Sequence, residues 1–190
     1  MPTDTKTPDP NIIKLENVRL SFPQLWTARA MQDKSGAPQG KPKFSATYLM
    51  DNETHAALIA RIEKTIDRVA LEEFKKKVTL KHKCLHDGNE MDDIEGYGDG
   101  ITFLRASSLR RPAVVDRQVQ TLAEEDGVIY AGCYVNATVR IYAMSHDVGG
   151  KQVNAELRAI QFVKDGESFG AGKVDVEREF DSLEDEMEDI

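Results

Sequence analysis

The sequence predicts a mainly β protein with one long helix, in which a small antiparallel barrel is followed by a flexible acidic end. Short segments rich in β-branched and aromatic residues, separated by turn residues, fill most of the chain and predict strands. Residues 53–76 carry apolar side chains at the three- and four-residue spacing of a long amphipathic helix. Residues 174–190 are too acidic to form a core, which predicts a segment without stable structure.

Along the chain, predicted strands both precede and follow the helix. They are expected at residues 12–22, 44–50, 101–105, 113–119, 128–144 and 153–164. Glycines and prolines in a polar context predict a long mobile loop at residues 27–42, and further glycines predict a loop at residues 86–100. Residues 147–150 predict a hairpin turn between the two strongest strands.

These elements fit one small barrel, and the OB-fold is the common architecture of this kind that binds oligonucleotides. We expect a single domain over residues 12–173, between a disordered N-terminus at residues 1–11 and a flexible tail at residues 174–190. No apolar run approaches the ~20 residues needed to span a bilayer, and the N-terminus lacks the pattern of a signal peptide. The two cysteines are too few for a disulfide framework, so the sequence predicts a cytoplasmic protein with reduced thiols.

The net charge of −8 at pH 7 is concentrated at the C-terminal end. Residues 174–190 hold nine acids and one base, whereas residues 1–173 hold 24 acids and 24 bases. The body is therefore neutral, and clustered bases on a neutral body are compatible with binding to an anionic polymer. The tail itself could act as a solubilising segment, or it could compete with nucleic acid for a basic groove and dock on partner proteins.

The predicted strand around residues 130–142 suggests a nucleic-acid surface. Alternate residues share a face of a strand, and one face here is apolar from Ala131 to Ile141. The other face carries the aromatic and polar residues Tyr130, Tyr134, Asn136, Thr138, Arg140 and Tyr142. Tyrosine rings stack on bases and arginine pairs with phosphate, so this face has the chemistry of a stacking platform. Tyrosines are also good strand formers, so an ordinary half-covered sheet face is the alternative.

Two groups of basic residues accompany that strand. The first contains Lys75, Lys76, Lys77, Lys81 and Lys83. The second contains Arg105, Arg110, Arg111 and Arg117. Contacts from such groups to phosphates release counterions and supply much of the affinity for single strands. Solvated loops and a positively charged helix C-terminus are the alternative interpretation.

Metal and enzyme motifs are weak in this sequence. His82, Cys84 and His86 share one face of a strand, but a zinc site needs a fourth ligand that the sequence does not indicate. The acids at positions 92, 93, 95 and 99 could hold a divalent metal as in a nuclease, but no positioned lysine or glutamate accompanies them. The sequence also lacks a P-loop and the common hydrolase motifs. We therefore expect no cofactor, no metal and no catalytic activity.

Six segments resemble a phage family that was long catalogued as of unknown function. They are the stretches at residues 17–23, 43–47, 87–90, 111–117 and 130–137, followed by residues 161–167. The Arg-Pro-x-Val-Val-Asp-Arg and Tyr-x-Gly-Cys-Tyr segments are the most specific of them. The resemblance implies a single-stranded-DNA-binding protein of tailed phages with an OB-fold and an acidic C-terminal tail. Many similar proteins end in an aromatic residue, whereas this chain ends in Ile190.

The resulting hypothesis is sequence-independent coating and protection of single-stranded DNA (ssDNA) in phage replication and recombination, in the cytoplasm of the infected host. The predicted DNA-binding residues are Trp26, Lys41, Lys43, Lys75, Lys77, Lys81, Lys83, Arg105, Arg110, Arg111, Arg117, Tyr130, Tyr134, Arg140 and Tyr142. Replication or recombination proteins are expected to bind the tail, with duplex DNA and a homo-oligomer left open. A metal-dependent nuclease and a phage structural or adaptor protein remain the alternatives.

Overall fold

The computed structural model describes residues 7–170, so residues 1–6 and residues 171–190, which include the acidic tail, lie outside the described residues. The described part contains the elements β1 (Ile12–Gln32), β2 (Pro38–Asp51), α1 (Ala56–Phe74), β3 (His82–Lys83), β4 (Leu85–Asp87), β5 (Ile101–Ser108), β6 (Ala113–Val115), β7 (Tyr134–His146) and β8 (Gly150–Lys164). Among the described residues, no helix is long and apolar enough to cross a membrane.

Five of the strands close into a barrel. Antiparallel pairing joins β1 to β2, β2 to β5, β7 to β8, and β7 back to β1. A parallel contact between β5 and β8, at Ser107 and Glu156, completes the ring. Closure removes exposed sheet edges from the barrel itself. The predicted mainly β, OB-fold-like barrel with one long helix is therefore confirmed.

A short segment fills the space where β5 and β8 diverge. β3 runs parallel to β8, with His82 opposite Gln152. β4 runs antiparallel to β5, with Leu85 opposite Leu104. Residues 82–87 therefore bridge the two strands, and they place Lys81 and Lys83 beside β8 and His86 beside β5.

Alternating apolar side chains form the interior of the barrel. On β7, Val135, Ala137, Val139 and Ile141 are all buried, as the alternation predicts. The apolar stripe of α1, with Ile62 at its centre, packs on the same core. The helix begins three residues later than predicted, because the Asp51 side chain accepts hydrogen bonds from the backbone N–H groups of residues 53 and 54 and holds a turn there.

The predicted mobile loop at residues 27–42 is wrong. The structure instead continues β1 and β2 as a two-stranded arm (residues 27–43), with Arg29 opposite Lys43 and Met31 opposite Gln39. Its turn is held by the Asp33 carboxylate, which accepts hydrogen bonds from the N–H groups of residues 35 and 37 at 2.8 and 3.0 Å. Both faces of the arm are largely exposed, so no hydrophobic alternation revealed the strands.

The predicted strand at residues 128–144 begins later, at Tyr134, and it extends to His146. Gly132 has a φ of +107°, a conformation that breaks the pleat before the strand. Tyr130 therefore does not belong to the alternation that continues through β7. The predicted strand at 113–119 is also shorter, because the Asp116 carboxylate accepts hydrogen bonds from the N–H groups of residues 118 and 120 and closes a turn.

Candidate nucleic-acid interface

An aromatic and cationic surface covers the outside of β4 and β5. Leu104 points into the barrel, so its neighbours Phe103 and Arg105 point outward. The His86 ring stacks on Phe103 with centroids 5.0 Å apart, and Tyr97 meets the same ring edge-on at 5.1 Å. The Arg105 guanidinium lies 5.2 Å from the Phe103 centroid. Phe103 is thereby buried on the outside of the barrel, as the base of a cluster whose other members face solvent at least in part.

This cluster extends in two directions. Towards β8, the His82 ring lies 5.6 Å from His86, and the exposed Lys83 follows it directly. Towards β1, Phe22 lies 6.3 Å from Tyr97 and is half exposed. Phe22 has a φ of +45°, a strained conformation for a residue with a side chain, and such strain is often kept at functional sites. We call His82, His86, Phe103, Arg105, Tyr97 and Phe22, which these contacts join, together with the neighbouring exposed Lys83, the track.

Burial keeps two rings of the track, those of His86 and Tyr97, neutral near pH 7. Burial lowers the pKa of His86 below its ordinary 6.5, although the Glu90 carboxylate, 3.1 Å from Nδ1, acts in the opposite direction. Burial also raises the pKa of Tyr97, whose hydroxyl donates a hydrogen bond to Ser21 Oγ at 3.0 Å. Neutral rings stack on bases, whereas Arg105 and Lys83 supply the positive charge that phosphates attract.

A groove of about 420 Å³ continues from the track beyond the end of β5. Ser107 lines it, two residues after Arg105 on the same outward face of the strand. Four predicted DNA-binding residues also line it: Lys43, Arg110, Arg140 and Tyr142. Burial raises the pKa of Tyr142, so its hydroxyl stays protonated. The groove brings together side chains from β2, β5 and β7, which are far apart in the sequence.

The groove also contains negative charge. Glu156 lines it opposite Arg140 in the β7–β8 register. Arg140 Nε in turn donates to Asp9 Oδ2 at 2.9 Å, and that contact lowers the pKa of the Asp9 carboxyl. Asp9 belongs to the predicted disordered N-terminus, so at least this residue has a defined contact with the barrel. Arg140 would have to exchange or share its carboxylate partner to meet a phosphate.

Trp26 and Arg111 lie together at the β1 side. Arg111 Nη2 donates a 2.6 Å hydrogen bond to the Trp26 carbonyl oxygen. Trp26 is partly buried against the core, and it lines a second groove of about 220 Å³ together with Phe22 and Arg29. The single tryptophan therefore lies next to the Phe22 end of the track.

Tyr130 and Tyr134 have packing partners of their own. The Tyr130 hydroxyl donates to Asp165 Oδ1 at 2.8 Å and accepts from the Gly166 N–H at 3.1 Å. Gly166 lies so close to the Tyr134 ring that a Cβ would come within 2.9 Å of it, and Lys164 Nζ lies 4.7 Å from the ring centroid. Both tyrosines therefore hold the chain that follows β8, and their stacking on bases stays a prediction.

Residues 165–170 form a strap from β8 back to the loop beside the track. Arg19 donates to the Gly132 carbonyl at 3.1 Å and to the Glu167 carbonyl at 2.6 Å, and its guanidinium lies 4.1 Å from the Phe169 ring centroid. The strap ends where the Gly170 N–H donates to Glu95 Oε2 at 3.2 Å. Glu95 is two residues from Tyr97, so the chain leaves the described part next to the track.

The remaining predicted residues divide into two groups. Lys75 and Lys77 follow the end of α1 directly. That end lies near Lys81, because Lys151 contacts both: its Nζ lies 5.3 Å from the centroid of the Phe74 ring, and its carbonyl oxygen accepts a hydrogen bond from the Lys81 N–H. These lysines adjoin the His82 end of the track. Lys41 lies on the arm and Arg117 in the turn after β6, each exposed and outside the track.

Sequence reasoning missed five members of the track: Phe22, His82, His86, Tyr97 and Phe103. Alternation along β5 could have placed Phe103 on the face of Arg105, since the two residues are separated by one position. No local pattern indicates Tyr97, because the long-range contact with β5 positions it. In the described residues, 7–170, no group of three or more histidine, cysteine, aspartate or glutamate side chains is arranged to hold a metal ion.

The chain is similar to phage proteins in sequence and in structure. The family model described as the ssDNA-binding protein of Enterobacter phage Enc34 matches residues 11–190. Putative protein p50 of Acyrthosiphon pisum secondary endosymbiont phage 1 is 39% identical over 181 residues, which are 90% of this chain and 93% of that relative.

Solved structures show the same likeness. The single-stranded DNA-binding protein from bacteriophage Enc34, in complex with ssDNA, superposes with a TM-score of 0.72 at 30% identity, covering 84% of this chain and 90% of that chain. The ssDNA-binding protein gp2.5 of bacteriophage T7 superposes with a TM-score of 0.54 at 15% identity, covering 86% of this chain and 95% of that one. The second likeness concerns the fold alone.

Proposed function

Since the chain belongs to the family of the single-stranded-DNA-binding protein of Enterobacter phage Enc34, we propose that it coats and protects ssDNA during phage replication and recombination. The track is the observation that carries this proposal. Its rings that reach the surface, those of Phe22, His82 and Tyr97, can stack on any base, and its guanidinium and ammonium groups attract phosphates. Stacking of this kind does not read base edges, so little sequence preference is expected.

The proposed path of the strand runs along the outside of β4 and β5. Lys81 and Lys83 contact phosphates at one end, and Arg105 contacts one at the centre. Phe22 and Tyr97 stack bases near β1, with Trp26 beside them. The groove lined by Lys43 and Arg110 then holds further phosphates.

The proposed role is stoichiometric binding, without turnover and without a cofactor, in the cytoplasm of the infected host. The acidic tail acts as a competitor for the cationic side chains and recruits replication or recombination proteins when DNA displaces it. The strap supports the competitor role, because its last residue, Gly170, contacts Glu95 near Tyr97, only four positions before the tail begins in the sequence. The same binding experiments, repeated with duplex DNA, decide whether the protein also binds duplex DNA.

Titration with poly(dT), followed through the fluorescence of Trp26, tests the proposal directly. Trp26 is the single tryptophan, and its groove includes Phe22, so a base stacked there should change the emission. Saturable binding at low salt that weakens as salt rises is the expected result. Absence of saturable binding at low salt would exclude the coating role and favour a structural or adaptor protein. Metal-dependent shortening of the DNA would favour a nuclease instead.

Deletion of residues 174–190 is expected to tighten ssDNA binding, with the largest gain at low salt. The deleted segment carries nine acids and one base, and its attraction to the cationic side chains is screened as salt rises. Gel shifts over a salt series measure the effect. A full-length variant in which the nine acids become amides is the matched control, and it should behave like the deletion. Unchanged or weaker binding by both variants would remove the competition model.

A further inference from the structure

The two ends of β2 carry opposite charge. β2 has 14 residues and is therefore roughly 45 Å long at about 3.3 Å per residue. One end belongs to the arm, whose cations Arg29, Lys34, Lys41 and Lys43 are all exposed and outnumber its single acid, Asp33. This end of the molecule is strongly positive.

The opposite end of β2 lies against an acidic loop (residues 87–99). The Asn52 N–H donates to the Gly100 carbonyl at 2.9 Å, which joins the end of β2 to the end of this loop. The loop contains no base, and its six acids are Asp87, Glu90, Asp92, Asp93, Glu95 and Asp99, all of them exposed. Among residues 7–170, one side chain of this loop, Glu90, pairs with a histidine, His86. Burial lowers the pKa of that histidine and keeps its ring largely neutral.

The arm is a sheet element without a partner among the described residues. Beyond the barrel its two strands pair with each other, and their outer edges pair with no third strand in residues 7–170. Met31 on the arm is 80% exposed. Unpaired strand edges and an exposed apolar side chain are features that protein partners cover, whereas a phosphate backbone needs only the cations.

We propose that the arm of one copy docks on the acidic loop of the next copy along the same DNA strand. The inference rests on the proposed coating of ssDNA, and it names a second copy of this chain as a partner beside the DNA. The two surfaces lie at opposite ends of one strand, so the contact is head-to-tail. Each copy uses one surface towards one neighbour and the other surface towards the next, unlike a symmetric dimer, in which the same surface is used by both copies. Repetition of the contact generates an open chain of copies, and it sets the tracks of successive copies one after another.

The contact between copies forms to a measurable extent only when both copies are bound to the same DNA strand. Its charges are exposed, so each ion pair is individually weak and screened by salt. Two copies on one strand, however, meet at a high effective concentration. The expected consequence is cooperative binding to long ssDNA at low salt, without a stable dimer in the absence of DNA.

Charge reversal on each surface separately provides the test. The arm variant carries Arg29→Glu and Lys34→Glu, which change the net charge of the arm from +3 to −1. The loop variant carries Glu90→Lys, Asp92→Lys, Asp93→Lys and Asp99→Lys, which change the net charge of the loop from −6 to +2. For each we compare the affinity for poly(dT) with the affinity for an oligonucleotide that holds one copy, which gives the cooperativity. Each variant alone should lose about tenfold in cooperativity, because its two ends then carry the same sign and repel.

An equimolar mixture of the two variants is the decisive measurement. The negative arm of one variant fits the positive loop of the other, and the converse contact is also attractive, so the mixture should recover the cooperativity of the unchanged protein. A mixture no more cooperative than its components overturns the head-to-tail contact. So does an unchanged protein that binds poly(dT) and the short oligonucleotide with the same affinity per site. Failure of the unchanged protein to bind the short oligonucleotide would instead overturn the proposed coating itself.

A third variant controls for net charge. Arg61 and Lys64 are exposed on α1, outside both surfaces, and Arg61→Glu with Lys64→Glu changes the total charge as the arm variant does. This variant should keep the cooperativity of the unchanged protein. An equal loss in the control would mean that total charge, and not docking, sets the cooperativity, and would overturn the inference.

Discussion

Replacing Lys83, Arg105 and Arg110 together by alanine is expected to weaken ssDNA binding by about a hundredfold at about 0.1 M salt. Each lost phosphate contact lowers the log–log salt slope by ~0.7, so three contacts lower it by about two. The affinities of the variant and the unchanged protein should converge as salt approaches about 1 M. All three side chains are exposed and outside the core, so the variant should fold normally. Titrations over a salt series give both the affinity and the slope.

A control variant separates this effect from the loss of positive charge in general. Lys14, Arg61 and Lys64 are exposed cations outside the track and the groove it joins. Their replacement by alanine removes the same charge but should change the salt slope by much less than the track variant does. Equal slopes for the two variants would mean that the DNA does not follow the track.

Gly132→Ala is expected to lower the free energy of unfolding by about 3–5 kcal/mol. Gly132 has a φ of +107°, which costs a residue with a Cβ about 1–3 kcal/mol. The added Cβ would also overlap the carbonyl oxygen of Glu167, a backbone atom of the strap that cannot rotate away. Overpacking of this kind costs a further 1–3 kcal/mol or so. Urea denaturation followed by far-UV circular dichroism measures the loss.

Gly36→Ala is the matched control for that substitution. Gly36, in the turn of the arm, also has a positive φ of +83°, but an added Cβ would meet no atom within 4 Å. Its cost should therefore be the conformational strain alone, about 1–2 kcal/mol. If the two substitutions cost the same, the close packing of the strap on Gly132 contributes nothing to stability.

The period of the apolar residues predicted the interior of the barrel and the helix. Val135, Val139 and Ile141 are buried because alternation in a pleated strand is a local property, independent of which strands lie alongside. The same logic failed at Tyr130, because the backbone of Gly132 interrupts the pleat before β7 begins. It failed again on the arm, since strands exposed on both faces carry no apolar period.

The predicted DNA-binding residues show the same division. Sequence reasoning identified the lysine-rich and arginine-rich regions from charge alone, and the groove brings Lys43, Arg110, Arg140 and Tyr142 together. It did not identify the aromatic centre of the track, because an apolar ring on a strand is ordinarily assigned to the core. The structure shows Phe103 buried on the outside of the barrel, under side chains that arrive from other parts of the chain.

By itself, the sequence determined the fold class, the inward face of β7, the helix and the separation of negative charge into residues 174–190. These features depend on residues close together in the chain, where pleat, helical period and charge act directly. Only the tertiary structure decided which outward side chains form one surface. That surface depends on β4 pairing with β5, on the loop that carries Tyr97 folding over Phe103, and on the strap held by Arg19. Such contacts join residues tens of positions apart, and their geometry follows from closure of the barrel and not from any local pattern.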